Sequence, residues 1–148
     1  MLKDDNGLDI SIGTDIVEID RFRILEHEAP FYDRIFSVSE LEYCRGFQDP
    51  APHFATTFAG KEAVVKATYH SCRIPLDSIE ILRDEDGVPY VIVHQDCNHN
   101  IFVSLSHSSS HAAAVALAVC QSHSPDENLI EGLLEETVKQ ILPGSEVS

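Results

Sequence analysis

Two carboxylates and a lysine are the residues of this chain best suited to chemistry. Glu62 and Lys66 lie one helical turn apart in the mostly apolar segment "FAGKEAVVKA", residues 58–67. Asp15 interrupts an alternating apolar pattern typical of a β-strand, where aspartate is normally depleted. Mg²⁺ commonly takes one or two protein carboxylates together with water and substrate phosphate, and lysine adds a point charge to the phosphate. The three residues therefore indicate phosphoryl or phosphodiester transfer.

Each of these residues also has a structural interpretation. Glu62 and Lys66 can form a solvent-facing ion pair along the helix, worth about 0.2–0.5 kcal/mol, and Asp15 can occupy the exposed side of an edge strand. Gly60, in the same helix, costs about 1 kcal/mol relative to alanine and leaves room for another backbone or a ligand. The local sequence alone does not separate these alternatives.

A third polar cluster follows a predicted strand in "VSLSHSSSH", residues 103–111. Ser106 and His107 at the strand end could contact a phosphate or a nucleoside sugar, although a polar turn between two strands accounts for the same residues. The sequence contains no Gly-x-Ser-x-Gly elbow, no P-loop and no Gly-x-Gly-x-x-Gly. It therefore argues against an α/β-hydrolase and against the standard nucleotide-binding folds.

Both strands and helices are predicted to position these residues. Ser37 and Glu40 have the spacing of a capping box, which starts a helix, and two prolines in "QDPAPHF" break the chain before the next one. Asp86-Gly87 is a typical hairpin turn between two β-rich runs. The predicted elements are a strand over 8–17, a helix from Ser37, a central helix over Phe54–Tyr69, a hairpin over 78–93 and a strand over 101–107.

Two segments near the end of the chain need separate interpretation. "HAAAVALAV", residues 111–119, is compatible with helix by its alanine content and with strand by its short length. From Ser124 the sequence predicts an acidic amphipathic helix, with Ser124 as N-cap and Pro125 in its first turn. We interpret it as a terminal helix docked on its own domain or on a neighbouring subunit. The predicted division is a domain over 1–122 and a helical extension over 123–148.

The composition is that of a compact globular protein. The chain has 148 residues, of which 43% are hydrophobic and 24% are charged, so one domain can bury a core without help from a metal. No apolar run reaches the roughly 20 residues of a membrane span. The start "MLKDDNGLD" also lacks the pattern of a signal peptide. A cytoplasmic protein without membrane contact is the expectation.

The charge distribution limits the kinds of ligand that the chain can bind, and the cysteine spacing limits its redox and metal motifs. The net charge of -15 argues against binding to nucleic acid. Every Lys and Arg except Lys139 lies at or before Arg83, so an anionic ligand should contact the first half of the chain. Cysteines occur in no Cys-x-x-Cys motif, and we expect them to be reduced and buried. They are Cys44, Cys72, Cys97 and Cys120.

Five segments occur in the order and approximate spacing of one known family. They are "IGTDIVEIDRF", "RIFSVSELEYC", "FAGKEAVVKA", "IEILRDEDGVPYV" and "VSLSHSSSHAAAVALAV", and together they span about residues 9–120. On these motifs the chain resembles the holo-acyl-carrier-protein synthase group of 4'-phosphopantetheinyl transferases. The first and third segments are specific in combination, whereas the Ser-His segment has little specificity by itself.

The resemblance implies both a fold and a reaction. The fold is α+β, with a small antiparallel sheet packed with a long central helix, to which this chain adds the C-terminal amphipathic helix. The implied assembly is a homotrimer with active sites shared between neighbours. In the implied reaction, a serine of an acyl carrier protein attacks the β-phosphate of coenzyme A, takes the 4'-phosphopantetheine arm and releases adenosine 3',5'-bisphosphate. This activity belongs to fatty acid biosynthesis.

The resemblance also implies roles for individual residues, by motif position. Asp15 and Glu62 would bind Mg²⁺, and Lys66 would contact the phosphates of coenzyme A. Ser106 and His107 would lie at the coenzyme A site. Arg21 would face the acidic carrier protein. The attacking serine must also lose a proton, and Glu62, a metal-bound water and Lys66 remain alternative acceptors.

Two positions depart from the pattern of the family. Thr57 stands where many members carry an arginine, and the loop "TYHSCRIPL" after the central helix contains no glycine. The alternative function is therefore a non-catalytic module of the same fold that binds the carrier or coenzyme A. A different magnesium-dependent phosphoester enzyme is a further alternative.

Overall fold

A computed structural model describes residues 2–3, 9–26, 29–121, 127–141 and 146–147, which form two antiparallel sheets and five α-helices. None of the helices in these ranges is both long and apolar enough to cross a membrane. In chain order the elements are β1 Leu2–Lys3, β2 Asp9–Glu18, α1 Asp20–Ile24, α2 Pro30–Ile35, α3 Val38–Arg45, α4 Ala51–Thr68, a 3₁₀ turn Leu76–Ser78, β3 Ile79–Arg83, β4 Pro89–Val93, β5 His99–His107, β6 His111–Cys120, α5 Glu127–Ile141 and β7 Glu146–Val147.

The larger sheet has the strand order β1-β2-β6-β5-β7, and all neighbouring strands are antiparallel. The alanine-rich segment 111–119, compatible with either helix or strand by sequence, lies in the central strand β6. One face of β6 packs against α4 and the other against α5. A strand buried on both faces needs no polar alternation, which is why its sequence resembled a helix. The predicted α+β class, with a long helix packed on a small antiparallel sheet, is confirmed.

Two glycines allow α4 to pack closely between its neighbours. A Cβ atom on Gly13 of β2 would lie only 1.9 Å from the carbonyl oxygen of Ala63 in α4, so the two backbones can touch only at a glycine. A Cβ atom on Gly60 of α4 would lie 2.6 Å from Cδ1 of Ile81 and 2.9 Å from Cδ2 of Leu105. The space beside Gly60 is therefore filled by core side chains rather than by a ligand.

The central helix α4 starts at Ala51, earlier than the predicted Phe54. Pro50 is its N-cap residue and Pro52 lies in its first turn. The two prolines begin the helix instead of breaking it, because the first-turn N–H groups have no partner within the helix. The predicted capping box at the start of α3 is confirmed, with both of its hydrogen bonds formed.

A buried ion pair fixes α4 against α3 and β3. Lys61 Nζ lies 2.6 Å from Glu40 Oε2 and also donates to the carbonyl oxygen of Ile35. The Glu40 carboxylate accepts further hydrogen bonds from the backbone N–H groups of Ser37 and Ile81, at 2.8 Å and 2.7 Å. Both side chains are almost fully buried. Since every charge here has partners, the pair orients three elements relative to one another.

The hairpin β3–β4 turns at the predicted Asp86-Gly87. Gly87 has a φ of +83°, a conformation that glycine adopts without strain. Asp84 Oδ1 accepts hydrogen bonds from the backbone N–H groups of Asp86 and Val88, at 2.9 Å and 2.8 Å. The turn is therefore held by its own residues.

The amphipathic helix α5 packs on the sheet face opposite to α4. Its predicted N-cap Ser124 lies outside the described residues, as does the boundary at residue 122, so the division into 1–122 and 123–148 stays a prediction. The helix contributes to a second apolar cluster with β6. The buried members of this cluster are Val115, Val119, Ile130, Leu134 and Val138.

The expectation that all four cysteines are reduced and buried is wrong in two respects. Cys72 and Cys97 form a disulfide with a Cα–Cα distance of 5.7 Å, within the usual range. Cys120 is only half-buried, and Cys44 alone is both free and buried. Sequence spacing gave no sign of the pair, because the fold brings the loop after α4 against the start of β5.

Candidate active site

Asp15 and Lys66 join β2 to α4 through an ion pair. Lys66 Nζ donates to Asp15 Oδ1 at 2.8 Å and to the carbonyl oxygen of Thr14 at 2.8 Å. Asp15 lies on the same strand face as Gly13, the face that packs against α4, and its side chain is only 16% exposed. The lysine therefore neutralises a carboxylate of another element, and the ion pair between Glu62 and Lys66 along the helix is not formed.

Glu62 lies one turn before Lys66 and faces the same region. Burial raises the pKa of Glu62, and the charge of Asp15 raises it further, whereas Lys66 and Arg21 act in the opposite direction. Its carboxylate has no hydrogen-bond donor within the part of the chain that the structure describes. Two carboxylates thus approach each other with only partial compensation, an arrangement that a bound cation would relieve.

A cavity of about 740 Å³ opens beside the two carboxylates. Arg21, at the start of α1, lines it with its guanidinium carbon 5.4 Å from the ring centroid of Phe58. The adjacent Phe22 is buried and its ring lies 5.7 Å from that of Phe58, which fixes α1 on α4. The remaining lining residues are Asp15, Ile16, Val17, Glu18, Asp20, Ile24 and Glu62.

The donors around this cavity fit a hard divalent cation and a phosphate. Carboxylate oxygens of Asp15 and Glu62 are the ligands that Mg²⁺ prefers, and the open cavity leaves room for water and phosphate oxygens in the rest of the shell. Arg21 places a positive charge in the cavity lining, and Lys66 adds another beside it through its ion pair with Asp15. We refer to Asp15, Arg21, Glu62 and Lys66 as the carboxylate site.

The structure separates the two candidate residues at the end of β5. Ser106 pairs with Ala113 of β6, which pairs with Ile16 of β2, so its side chain lies on the opposite sheet face from Asp15. Ser106 is also fully buried. His107 lies on the same face as Asp15, but two strands away. The fold therefore does not bring Ser106 to the carboxylate site, and His107 belongs to a different cluster.

That cluster combines positive charge with aromatic rings. His107 has its ring centroid 6.3 Å from that of His53, and His53 stacks on Phe47 with 3.4 Å between the ring centroids. The guanidinium carbon of Arg83 lies 5.1 Å from the ring centroid of Tyr43, which contacts Phe47 in turn. We refer to Tyr43, Phe47, His53, Arg83 and His107 as the basic cluster.

Arg83 is the unusual member of the basic cluster. Its three guanidinium nitrogens are buried and have no hydrogen-bond partner among the residues that the structure describes. Burial lowers the pKa of Arg83. Burial also lowers the pKa of His53, and the charges of His107 and Arg83 lower it further. A buried guanidinium without an acceptor is costly, and an anionic ligand would satisfy it.

The sequence gave no signal for most of the basic cluster. Arg83 ends an ordinary hairpin strand, and no spacing relates it to Tyr43 or His53. Only His107 was predicted. The cluster arises because the hairpin packs its end against α3 and the start of α4, which is a tertiary contact without a local pattern.

The two groups of residues lie on opposite sides of α4. About two and a half helical turns separate His53 from Glu62, which places their side chains on opposite faces of the helix. Glu62 and Lys66 face β2, whereas His53 faces β5, and β6 lies between these strands. One ligand cannot contact both groups within a single chain without passing around the helix.

Known proteins match most of this chain. The family model described as ACPS, 4'-phosphopantetheinyl transferase superfamily, matches residues 11–120. A holo-[acyl-carrier-protein] synthase of Caldanaerobacter subterraneus subsp. tengcongensis is 36% identical over 122 residues, which cover 76% of this chain and 96% of the relative. One from Clostridium botulinum is 41% identical over 115 residues, which cover 72% and 94%.

Solved structures of similar proteins agree with the fold. A holo-(acyl-carrier-protein) synthase from Bacillus anthracis in complex with CoA (3',5'-ADP) superposes with a TM-score of 0.65 at 28% identity, over 76% of this chain and 98% of that one. The Helicobacter pylori holo-[acyl-carrier-protein] synthase in complex with coenzyme A gives 0.64 at 28% identity, over 72% and 98%.

Proposed function

This chain belongs to the 4'-phosphopantetheinyl transferase superfamily, with the holo-[acyl-carrier-protein] synthases, and we propose that its carboxylate site is the reaction centre. The enzyme transfers the 4'-phosphopantetheine arm of coenzyme A to a serine of an apo acyl carrier protein and releases adenosine 3',5'-bisphosphate. The observation that supports the proposed centre is the approach of Asp15 and Glu62, from two different elements, at one open cavity.

We propose that Asp15 and Glu62 hold Mg²⁺ at this centre. A magnesium ion bound there would supply positive charge to the phosphate oxygens that accumulate negative charge during transfer. The only partly compensated repulsion between the two carboxylates supports this assignment, because a bound cation would relieve it. No described side chain other than Lys66 pairs with either carboxylate.

Lys66 and Glu62 have further roles in the proposed reaction. Lys66 is 50% exposed, so its ammonium can leave Asp15 and contact a phosphate in the cavity. The attacking serine must lose a proton. Glu62 lines the cavity that the serine must enter, and we favour it as the proton acceptor on this position.

We propose that the basic cluster binds the 3'-phosphoadenosine part of coenzyme A. Arg83 offers positive charge to its phosphates, His107 offers an imidazole for hydrogen bonding, and the exposed ring of Phe47 offers a stacking surface for adenine. Thr57 lies beside Cys44, and the charge of Arg83 acts on the same Cys44 thiol. Arg83 thus supplies a guanidinium close to the position where many relatives have an arginine in place of Thr57. Ser106 stays a prediction without this support.

The opposite placement of the two groups on α4 supports a shared active site. One coenzyme A can contact the carboxylate site of one subunit and the basic cluster of its neighbour, as in a homotrimer. Exposed apolar side chains of β2 and α1 offer surface for such a neighbour: Ile12, Ile16 and Ile24 are 61%, 57% and 83% exposed. We propose the trimer on these grounds, and with it a role in cytoplasmic fatty acid biosynthesis.

Arg21 is our candidate for contact with the carrier protein. It is exposed at the mouth of the cavity, where a carrier serine must enter to reach the phosphate. The carrier proteins of this family are acidic, and a guanidinium at the entrance would pair with a carrier carboxylate.

The direct test incubates the protein with Mg²⁺, coenzyme A and an apo acyl carrier protein, and follows the mass of the carrier. A gain of one 4'-phosphopantetheine group is expected, and it should disappear when EDTA removes the metal. Binding of carrier or coenzyme without any gain in mass, across several carriers, would identify the non-catalytic module instead. Transfer that is insensitive to EDTA would refute the metal site alone.

A further inference from the structure

Cys72, Cys97 and His99 meet at a position that is separate from both the carboxylate site and the basic cluster. Nδ1 of His99 lies 3.5 Å from Sγ of Cys72 and 3.9 Å from Sγ of Cys97. Cys72 follows α4, and His99 is the first residue of β5. All three side chains are half-buried, so an ion can reach them. Among the described residues they form the single group of three His, Cys, Asp or Glu side chains placed closely enough to share a metal ion.

We propose that these three residues bind Zn²⁺ when the cysteines are reduced. Two thiolates and one imidazole are ligands that zinc accepts, and water takes the fourth position in open zinc sites. With the usual Zn–S and Zn–N lengths, a tetrahedral centre separates its sulfur and nitrogen ligands by about 3.6 Å. The two sulfur–nitrogen distances observed here agree with that value. Two thiolates also neutralise the charge of the ion.

The position of His99 distinguishes this site from an ordinary disulfide. A disulfide needs only its two cysteines, yet the His99 nitrogen faces both sulfurs. Backbone pairing with Cys120 in β6 fixes His99 from one side. On the other side, the backbone N–H groups of Cys72 and Arg73 both donate to the carbonyl oxygen of Thr68, at 2.9 Å and 3.1 Å. The backbone positions of Cys72 and His99 are therefore fixed before any ion binds, and the two sulfurs separate once the disulfide is reduced.

The disulfide and the zinc site are alternative states of the same two sulfurs. A small dithiol reductant gives two electrons and two protons to the S–S bond, which yields two thiols, and the reductant becomes a disulfide. Zn²⁺ then displaces the two thiol protons and binds Nδ1 of neutral His99. A small disulfide would reverse the reaction: it takes two electrons from the two thiolates and two protons from water, becomes two thiols, and the re-formed S–S bond releases the ion. The site can thus be loaded only under reducing conditions.

The test compares zinc binding by the reduced full-length protein and its variants. The protein is reduced with a dithiol, freed of reductant without air, mixed with Zn²⁺ and desalted, and bound zinc is measured by mass spectrometry. One zinc ion per chain is expected for the unaltered protein. Cys72→Ser, Cys97→Ser and His99→Ala should each lose it, whereas the matched control Cys120→Ser should retain it. Replacing zinc by Co²⁺ should give the visible absorption of a tetrahedral thiolate complex.

His99→Ala is the decisive variant, because it leaves the disulfide intact. If His99→Ala retains a full equivalent of zinc, or if the unaltered reduced protein binds none, the proposal is wrong. Zinc that survives in all three ligand variants would be bound elsewhere and would also refute it. Glu62→Gln should still bind one zinc ion at Cys72, Cys97 and His99. The outcome is therefore independent of the proposed transfer reaction.

Discussion

The carboxylate site gathers two carboxylates, the basic cluster gathers a guanidinium and two histidines, and they lie on opposite sides of the same helix. The first brings two carboxylates together without enough cationic compensation. The second buries a guanidinium without an acceptor. Each is electrostatically incomplete, and a metal-bound, multiply phosphorylated ligand would complete both. On the proposed function, α4 separates two halves of one site, which a neighbouring subunit would reunite.

The buried pair of Lys61 and Glu40 shows why the two regions differ from structural charges. Lys61 also has a carbonyl acceptor, and the Glu40 carboxylate has two backbone donors besides the lysine. Glu62 and Arg83 have no such sets of partners. Buried charge with all its hydrogen bonds fixes a fold, whereas buried charge without them points to a ligand.

The largest expected effect is the loss of activity when the carboxylate site is broken. Asp15→Ala and Glu62→Gln should each reduce 4'-phosphopantetheine transfer by at least about 10²- to 10³-fold, the range typical for losing one electrostatic contact to a transition state. Mass analysis of the carrier under saturating coenzyme A measures this loss. Glu136→Gln, an exposed carboxylate of α5, is the matched control and should keep full activity. Near-normal transfer by either variant would remove its carboxylate from the reaction centre.

The basic cluster should affect coenzyme A binding more than turnover. Arg83→Ala is expected to raise KM for coenzyme A by roughly 10- to 100-fold, since a hydrogen bond to a charged group contributes about 1.5–3 kcal/mol. Steady-state kinetics at varied coenzyme A separate KM from kcat. Exposed Arg34 of α2 provides the control Arg34→Ala, with KM unchanged. If Arg83→Ala lowers the melting temperature but leaves KM for coenzyme A unchanged, Arg83 contributes only to packing against Tyr43.

Mixing two defective subunits would show whether the two regions act across an interface. Glu62→Gln and Arg83→Ala chains, co-expressed with different tags and purified through both, should regain activity at low coenzyme A. In every mixed trimer that passes both tags, one of the three shared sites joins an intact carboxylate site to an intact basic cluster. Activity no greater than that of Arg83→Ala alone would place both regions in one subunit's site.

The smallest expected effect is a gain in stability of the metal-free protein. Burial and the Asp15 charge raise the pKa of Glu62, so its ionised form is unfavourable in the folded state. Such a carboxyl binds its proton more tightly when folded, and stability is lost as pH rises through the raised pKa. Glu62→Gln should therefore melt at a higher temperature than the unaltered protein near neutral pH. The difference should vanish below the ordinary pKa of 4.5.

Thermal melts in EDTA over a series of pH values measure this difference. The control Glu136→Gln should follow the unaltered protein at every pH. A Glu62→Gln protein that is less stable near neutral pH would mean that the Glu62 carboxylate contributes to folding, which contradicts its assignment as a ligand.

Local patterns predicted most of the fold. The capping box at Ser37, the Asp86-Gly87 turn and the alternation in β2 each depend on contacts between near neighbours, and all three are confirmed. The start of α4 and the disulfide were predicted wrongly. The strand β6 stayed ambiguous because burial on both faces erases the alternation that identifies a strand. The cysteine pair depends on a loop and a strand that meet only in the folded chain.

The candidate site could be predicted only in part, for a similar reason. Asp15, Glu62 and Lys66 were found because each is a charged residue inside an apolar pattern. Sequence could not show that Lys66 would pair with Asp15 rather than with Glu62, since that depends on the close approach of β2 at Gly13. The sequence around Arg83 shows no unusual pattern. Only the folded structure reveals that its buried guanidinium has no acceptor among the described residues.

The alanines of β6 limit which substitutions this chain can tolerate over evolution. They fill the space between the sheet and α4, so they set the distance at which Asp15 and Glu62 approach. In most protein cores, removing volume is the more harmful change. Along β6 the order should be reversed, because an added methyl group pushes α4 away from the sheet. We therefore expect only the smallest residues to be tolerated at these positions. They are Ala112, Ala114, Ala116 and Ala118.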